Sequence, residues 1–189
     1  MKKGDTAWGS AEEDRCQGGS YRLRFATEDD VSLTLEFIRG LAEYEQLLDQ
    51  VQATEEGLRQ FIFEEKKAEV IICEYRNEIP EGCADEYRPA GFALFFNNFS
   101  TFLGKPGIYI EDLFVKPELR GKGLGKAILV FLARLAIERG SGRLEWACLN
   151  WNEPSIAFYK SQGARPLNEW TTFRVTGDAL GKLGAARGP

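Results

Sequence analysis

The stretch from Gly107 to Ala136 constrains the fold more than any other part of the chain. Gly107 to Val115 is apolar and aromatic and reads as a strand. Lys116-Pro117-Glu118-Leu119 then leads into Arg120-Gly121-Lys122-Gly123-Leu124-Gly125-Lys126. Directly behind it, Leu124, Ile128, Leu129, Phe131, Leu132, Leu135 and Ala136 recur at helical spacing, and Gly140 supplies the stop. Strand, glycine-rich turn and one-faced helix in this order call for a sheet with a helix laid on it.

The flanking sequence fits a mixed α/β (α+β) domain with a central sheet. Tyr21 to Phe25 alternates as a strand. Thr27 with Asp30 opens a helix whose apolar positions are Val31, Leu33, Leu35, Phe37, Ile38 and Leu41. A second helix is expected from Thr54 to about Phe63, and a strand from Ala68 to Tyr75. A loop follows from Asn77 to Pro89, and then a strand from Ala90 to Asn97. A turn around Gly104 to Pro106 precedes the Gly107 strand. Beyond the long helix come a strand from Arg143 to Leu149 and a helix from Asn152 to Gln162. Two short strands, Ala164 to Pro166 and Trp170 to Val175, are expected last. Residues 1–20 read as a flexible N-terminal tail, 21–183 as one domain and 184–189 as a C-terminal tail.

Composition narrows the chemistry. The chain has 189 residues, 43% hydrophobic and 28% charged, as expected of a soluble globular protein. A net charge of −5 argues against a general grip on nucleic acid, which needs a basic face. No signal peptide or membrane span is evident, and a cytoplasmic protein is expected. Cys16, Cys73, Cys83 and Cys148 are not spaced as a metal site or redox pair; Cys73 and Cys148 read as small buried hydrophobes. The chain contains no histidine, which removes Ser-His-Asp and Cys-His catalysis and histidine-ligated metals. No metal is expected. Acid–base work must fall to carboxylates, tyrosine, cysteine, lysine or water.

The Arg120 turn has the makings of an anion site. Alternating glycines let the backbone approach a ligand and aim successive amides one way. The helix start adds unpaired N–H groups and a positive dipole end, a combination suited to a pyrophosphate. A Walker loop would need glycine at 120 and Ser or Thr at 127, where Arg and Ala stand. A dinucleotide fingerprint needs its third glycine one residue later.

At this point the sequence resembles the GNAT superfamily of acetyltransferases, whose signature is Arg or Gln, two residues, then Gly-x-Gly or Gly-x-Ala opening a helix. Arg120, Gly123 and Gly125 carry it. The likeness extends to the diamine (spermidine/spermine) and thialysine acetyltransferases through Leu41-Ala42-Glu43-Tyr44-Glu45, Tyr109-Ile110-Glu111-Asp112-Leu113-Phe114-Val115 and Trp151-Asn152-Glu153-Pro154-Ser155-Ile156-Ala157-Phe158-Tyr159-Lys160. The resemblance implies a single GNAT domain with a mixed, mostly antiparallel sheet and about four helices. It also implies acetyl-CoA as co-substrate, a small-molecule amine acceptor and a homodimer with a shared C-terminal element.

The same resemblance distributes the roles. Leu113, Phe114, Val115, Arg120, Gly121, Lys122, Gly123, Leu124, Gly125, Lys126, Asn152, Ser155 and Tyr159 would bind the cofactor. The backbones of Leu113 and Val115 would meet the pantetheine arm, and Tyr159 would protonate the departing thiolate. Glu111 and Asp112 are adjacent carboxylates in an apolar strand, costly unless partnered. Either they pair with a nearby Arg or Lys, or Glu111 serves as base and cation-binding group with Asp112 in support. Tyr44 and Glu45 line the amine cleft or are a solvated helix end. Asn152 caps its helix and can touch CoA as well. Trp170 packs on an alkylamine chain or belongs to the core. The short link Leu167 to Trp170 departs from the acidic link of animal polyamine enzymes, so a lysine-like amine is as good a candidate as a polyamine. A protein lysine or N-terminal acetyltransferase is the second reading, and a non-catalytic acetyl-CoA-binding module the third.

Overall fold

Six strands form one sheet in the order β1-β2-β3-β4-β5-β6. They are β1 (Glu12–Cys16), β2 (Gly19–Phe25), β3 (Glu69–Asn77), β4 (Arg88–Ser100), β5 (Lys105–Val115) and β6 (Leu144–Trp146). The computed structural model describes residues 12–78 and 86–186. Cys83 and part of the expected Asn77–Pro89 loop lie outside them. Neighbouring strands are antiparallel up to β5, and β5 and β6 are parallel. The helices are α1 (Val31–Tyr44), α2 (Glu55–Leu58, continuing as a π-helix through Glu64), α3 (Leu124–Glu138), α4 (Glu153–Ser161) and α5 (Gly177–Ala185). Among the described residues no helix is long and apolar enough to cross a membrane.

The chain divides into two units, Met1–Ala147 and Cys148–Pro189. The first contains the sheet with α1, α2 and α3. β3 carries the run Val70-Ile71-Ile72-Cys73, buried throughout, which is the mark of a strand covered on both faces. On one face Phe37 of α1 stacks on Phe92 at 5.3 Å and lies 6.2 Å from Phe114, within a cluster that includes Ile62, Val70 and Ile72. On the other face α3 packs against β2, β4 and β5, with Phe131 edge-on to Phe25 at 5.9 Å. Burial pushes the Cys73 thiol up to about 12, so it is an inert core group. Cys148 is only half-buried.

Local chemistry sets where α1 begins. Thr27 and Asp30 form the expected capping box, and Arg24 grips the Asp30 carboxylate with two bonds of 2.7 and 2.8 Å. That partner, with the Thr27 backbone N–H, holds the Asp30 carboxyl well below the usual range at about 2.

Three expectations are overturned. Residues 12–16 are not tail: they form β1, joined to β2 through Gln17 and Gly18 (φ +77°). The hairpin is held by the Tyr75 hydroxyl donating to the Gly18 carbonyl at 2.7 Å and by Arg76 against Glu13 at 3.2 Å. The two final strands do not form: residues 164–176 are irregular. A fifth helix, α5, follows them instead. β6 is also shorter than expected, at three residues.

Candidate active site

The geometry of β5 creates the site. β6 pairs with β5 only at Ile108, Tyr109 and Ile110. From Glu111 to Val115 that edge of β5 has no strand partner among the described residues. The ladder on the other side also changes there: Phe95 faces Ile110 and Leu94 faces Asp112, which leaves Glu111 as the extra residue of a β-bulge. Beyond the bulge the Lys116 N–H donates to Ala90 of β4 at 2.9 Å. Alternate residues therefore point their backbone groups to opposite sides, and Leu113 and Val115 present theirs to the open edge. Gly91 lets β4 and β5 close at this end, since a Cβ there would lie 2.4 Å from the Phe114 carbonyl oxygen. A lone glycine in an apolar strand was the sequence signal for that approach.

The open edge runs straight into the glycine turn. Gly121 (φ +78°) and Gly123 (φ +91°) are left-handed, and Gly123 is the N-cap of α3 with no side-chain cap. The first helical bond is made by the Ala127 N–H to Gly123, so the N–H groups of Leu124, Gly125 and Lys126 precede the ladder and are available to an anion. Leu124 is buried and anchors the helix, while Gly123 and Lys126 are exposed. Arg120 and Lys122 are both engaged by other parts of the protein. The Arg120 Nε donates to the Val115 carbonyl at 3.1 Å and its guanidinium lies 4.2 Å from the centre of the Tyr44 ring. The Lys122 ammonium sits 5.1 Å from the Tyr75 ring, and its carbonyl accepts from Gln17 at 3.4 Å. Sequence reasoning missed both side-chain placements, because contacts between distant segments leave no mark in local spacing.

Three carboxylates, Glu45, Glu111 and Asp112, lie near enough at β5 for the first two to act on the third. Burial is the main cause that raises Asp112 to about 6, followed by the negative charges of Glu111 and Glu45. Glu45, the C-cap of α1, is itself raised by burial. Its position is fixed by a sharp helix end: Gln46 takes a left-handed φ of +61°, and the Leu47 N–H reaches back to Ala42 at 2.8 Å. Glu111 is exposed. Neither Glu111 nor Asp112 has a basic partner among the described residues, so the ion-paired alternative falls. What remains is a cluster of negative charge suited to an alkylammonium group.

Asp112 makes a stability test. Its folded pKa lies above its unfolded value, so its contribution favours folding below about pH 4 and is lost as pH rises through about 6. Asp112→Asn is expected to stabilise the protein at pH 8 by about 2 kcal/mol, raising Tm by several degrees. The gain should shrink steadily towards pH 5. Thermal melts across that range check it, and a pH-independent change would show that Asp112 is not held in a costly charged state.

Taken by itself, the second unit carries Asn152, Ser155, Tyr159 and Trp170. Asn152 caps α4, its side-chain oxygen accepting from the Ser155 N–H at 3.3 Å, with Pro154 in the first turn. Tyr159 is half-buried on α4, its ring 5.3 Å from that of Phe158. Trp170 is 69% exposed and is not a core residue.

Comparison with known proteins agrees with this geometry. The Acetyltransferase (GNAT) family profile matches residues 41–164. The chain is 38% identical to the thialysine N-epsilon-acetyltransferase of Sus scrofa, over 87% of this chain and 97% of that protein. It is 32% identical to the L-ornithine N5-acetyltransferase NATA1 of Arabidopsis thaliana, over 84% of this chain and 86% of that protein. Among solved structures, an integron cassette protein from the mobile metagenome of V. cholerae superposes with a TM-score of 0.69 at 27% identity, covering 88% of this chain and 98% of that one. An aminoglycoside acetyltransferase from an uncultured soil metagenomic sample shares the fold alone, with a TM-score of 0.65 at 17% identity over 82% of this chain and 95% of that one. An open strand edge running into a left-handed glycine turn and a helix start is thus met by sequence kinship over most of the chain: it is an enzyme of the GNAT family of acetyltransferases.

Proposed function

We propose that the protein transfers an acetyl group from acetyl-CoA to the primary amine of a small diamine, polyamine or lysine-like (thialysine) substrate, by direct attack in a ternary complex. The observation that carries this reading is the β5 edge at Leu113 and Val115, which has no strand partner among the described residues and gives only its Val115 carbonyl to Arg120, running into the amides of Leu124 to Lys126. An edge of alternating N–H and C=O groups suits an amide-containing arm, and the bare helix start suits a pyrophosphate. No strand competes for that edge among the described residues.

The acceptor must lose a proton, because a free alkylamine has a pKa near 10.4. Glu45, Glu111 and Asp112 draw the ammonium in. Glu111, aimed outward by the bulge, takes the proton through water, and Asp112 supports it. The neutral nitrogen attacks the thioester carbonyl, the C–S bond breaks, Tyr159 gives its proton to the departing sulfur, and the proton that the nitrogen sheds as the amide forms returns through water to the Tyr159 phenolate. Support for a lysine-like acceptor comes from relatives named for thialysine and ornithine acetylation. A homodimer with a shared C-terminal element is supported by the exposed aromatics Trp170 and Phe173 in a segment without a strand partner among the described residues.

The test has two steps. Acetyl-CoA at about 100 times its Kd should stabilise the protein by about 2.7 kcal/mol, a rise of several degrees in Tm. Free-thiol release should then follow addition of thialysine, ornithine or diamines. Release with lysine-containing peptides alone would replace the small-amine reading with a protein acetyltransferase. Stabilisation without release to any amine would leave a binding module.

A further inference from the structure

The geometry points to Tyr44 as a positioning residue for the cofactor turn, acting through Arg120, rather than as a residue that contacts the amine. This rests on the reading of the Arg120 turn as the acetyl-CoA site. Arg120 is the first residue of that turn and its side chain is held by Val115, Tyr44 and Phe114. Its Nε donates to the Val115 carbonyl at 3.1 Å, which ties the end of β5 to the start of the turn. Its guanidinium carbon sits over the Tyr44 ring, 4.2 Å from its centre, and 5.9 Å from the centre of the Phe114 ring. Phe114 is buried in the core, and Tyr44 closes the last turn of α1. The Schellman-type stop at Gln46 and Leu47 fixes where that last turn ends. The ring is therefore presented by a rigid element.

The consequence concerns the backbone. Arg120 adopts an extended conformation (φ −66°, ψ 160°) and is followed at once by left-handed Gly121 and Gly123. Glycines impose no preference for those values. Something else must hold the turn in the conformation that aligns its amides, and Arg120, clamped between a carbonyl and a ring, is placed to do so. The charge of Arg120 is then spent on bracing, and the anion is met by backbone N–H groups and Lys126. The same arrangement explains why Arg serves here: a planar guanidinium stacks on an aromatic face while still donating from Nε.

The experiment is steady-state kinetics with acetyl-CoA and an amine varied in turn. Tyr44→Leu should raise KM for acetyl-CoA about 10-fold, in line with the strength of a partly shielded cation–aromatic contact, and change KM for the amine less than about 2-fold. Tyr44→Phe keeps the ring face and should retain most of the acetyl-CoA affinity. Arg120→Met should reproduce the shift, and Tyr44→Leu on top of it should add almost nothing, because the two act as one unit. A rise confined to the amine KM would overturn the inference and return Tyr44 to the amine cleft. An unchanged acetyl-CoA KM in Arg120→Met would overturn it as well, even if Tyr44→Leu failed to fold. Wild-type protein with no affinity for acetyl-CoA sinks the site reading itself and this inference with it; wild-type affinity with unaffected variants sinks the brace alone.

Discussion

Gly123→Val is expected to weaken acetyl-CoA binding by about 100-fold while leaving a folded protein. Gly123 sits at φ +91°, where a β-branched residue is a genuine outlier, and it caps α3. A Cβ built at this position meets no other atom within 4 Å, so the protein itself has room for a side chain. The cost is conformational, about 1–2 kcal/mol, and the chain escapes it by rotating out of the left-handed region. That rotation moves the N–H groups of Leu124, Gly125 and Lys126 off their common direction. The added methyls also occupy the face the pyrophosphate must approach. The control is Gly104→Val, at the opposite end of β5. Gly104 has φ +62° and equally open surroundings, so it should lose comparable stability and keep its affinity for acetyl-CoA. Calorimetric titration of the two variants separates strain from ligand approach. Equal acetyl-CoA affinity in both would mean that the turn is not the pyrophosphate site.

The ease with which this turn was read from sequence has a physical basis, and so do the failures around it. β4, β5 and α3 are strongly patterned because both faces of the strands and one face of the helix are buried, and burial writes itself into apolar spacing. The Thr27–Asp30 box was legible because capping is local. β1 was not, because its residues Glu12-Glu13-Asp14-Arg15-Cys16 bury almost nothing and its stability comes from pairing with β2. The Glu111 bulge is a property of register between two strands, which one strand's sequence does not encode. That is why the sequence does not show that Glu111 is the exposed carboxylate and Asp112 the one whose proton affinity the environment raises. Trp170 to Val175 is made of aromatic and β-branched residues with one arginine, but a strand-like composition describes a surface, not a partner for it. α5 was hidden by its three glycines, Gly177, Gly181 and Gly184, although Leu180 and Leu183 share a helical face.

Tyr159→Phe is expected to lower kcat by about 100-fold and to leave the Kd for acetyl-CoA within about 2-fold of wild type. The substitution removes one oxygen and keeps the ring against Phe158. It also leaves the end of α4 untouched, because the bonds there are made by the Tyr159 backbone carbonyl, which accepts from Gln162 at 3.0 Å and Ala164 at 3.1 Å. A phenol keeps its proton up to about pH 10, so a tyrosine can donate throughout the physiological range. A thiolate is already a fair leaving group, with a conjugate acid near pKa 8.5, so the effect belongs at the lower end of general-acid contributions. The pH profile distinguishes this role from simple packing. An alkaline limb in the wild-type kcat that Tyr159→Phe lacks is the expected signature of a proton given by this side chain. Near-normal turnover in the variant would show that the sulfur leaves without help from Tyr159. Low turnover with the alkaline limb intact would assign the proton to another group and leave the tyrosine a structural part of α4.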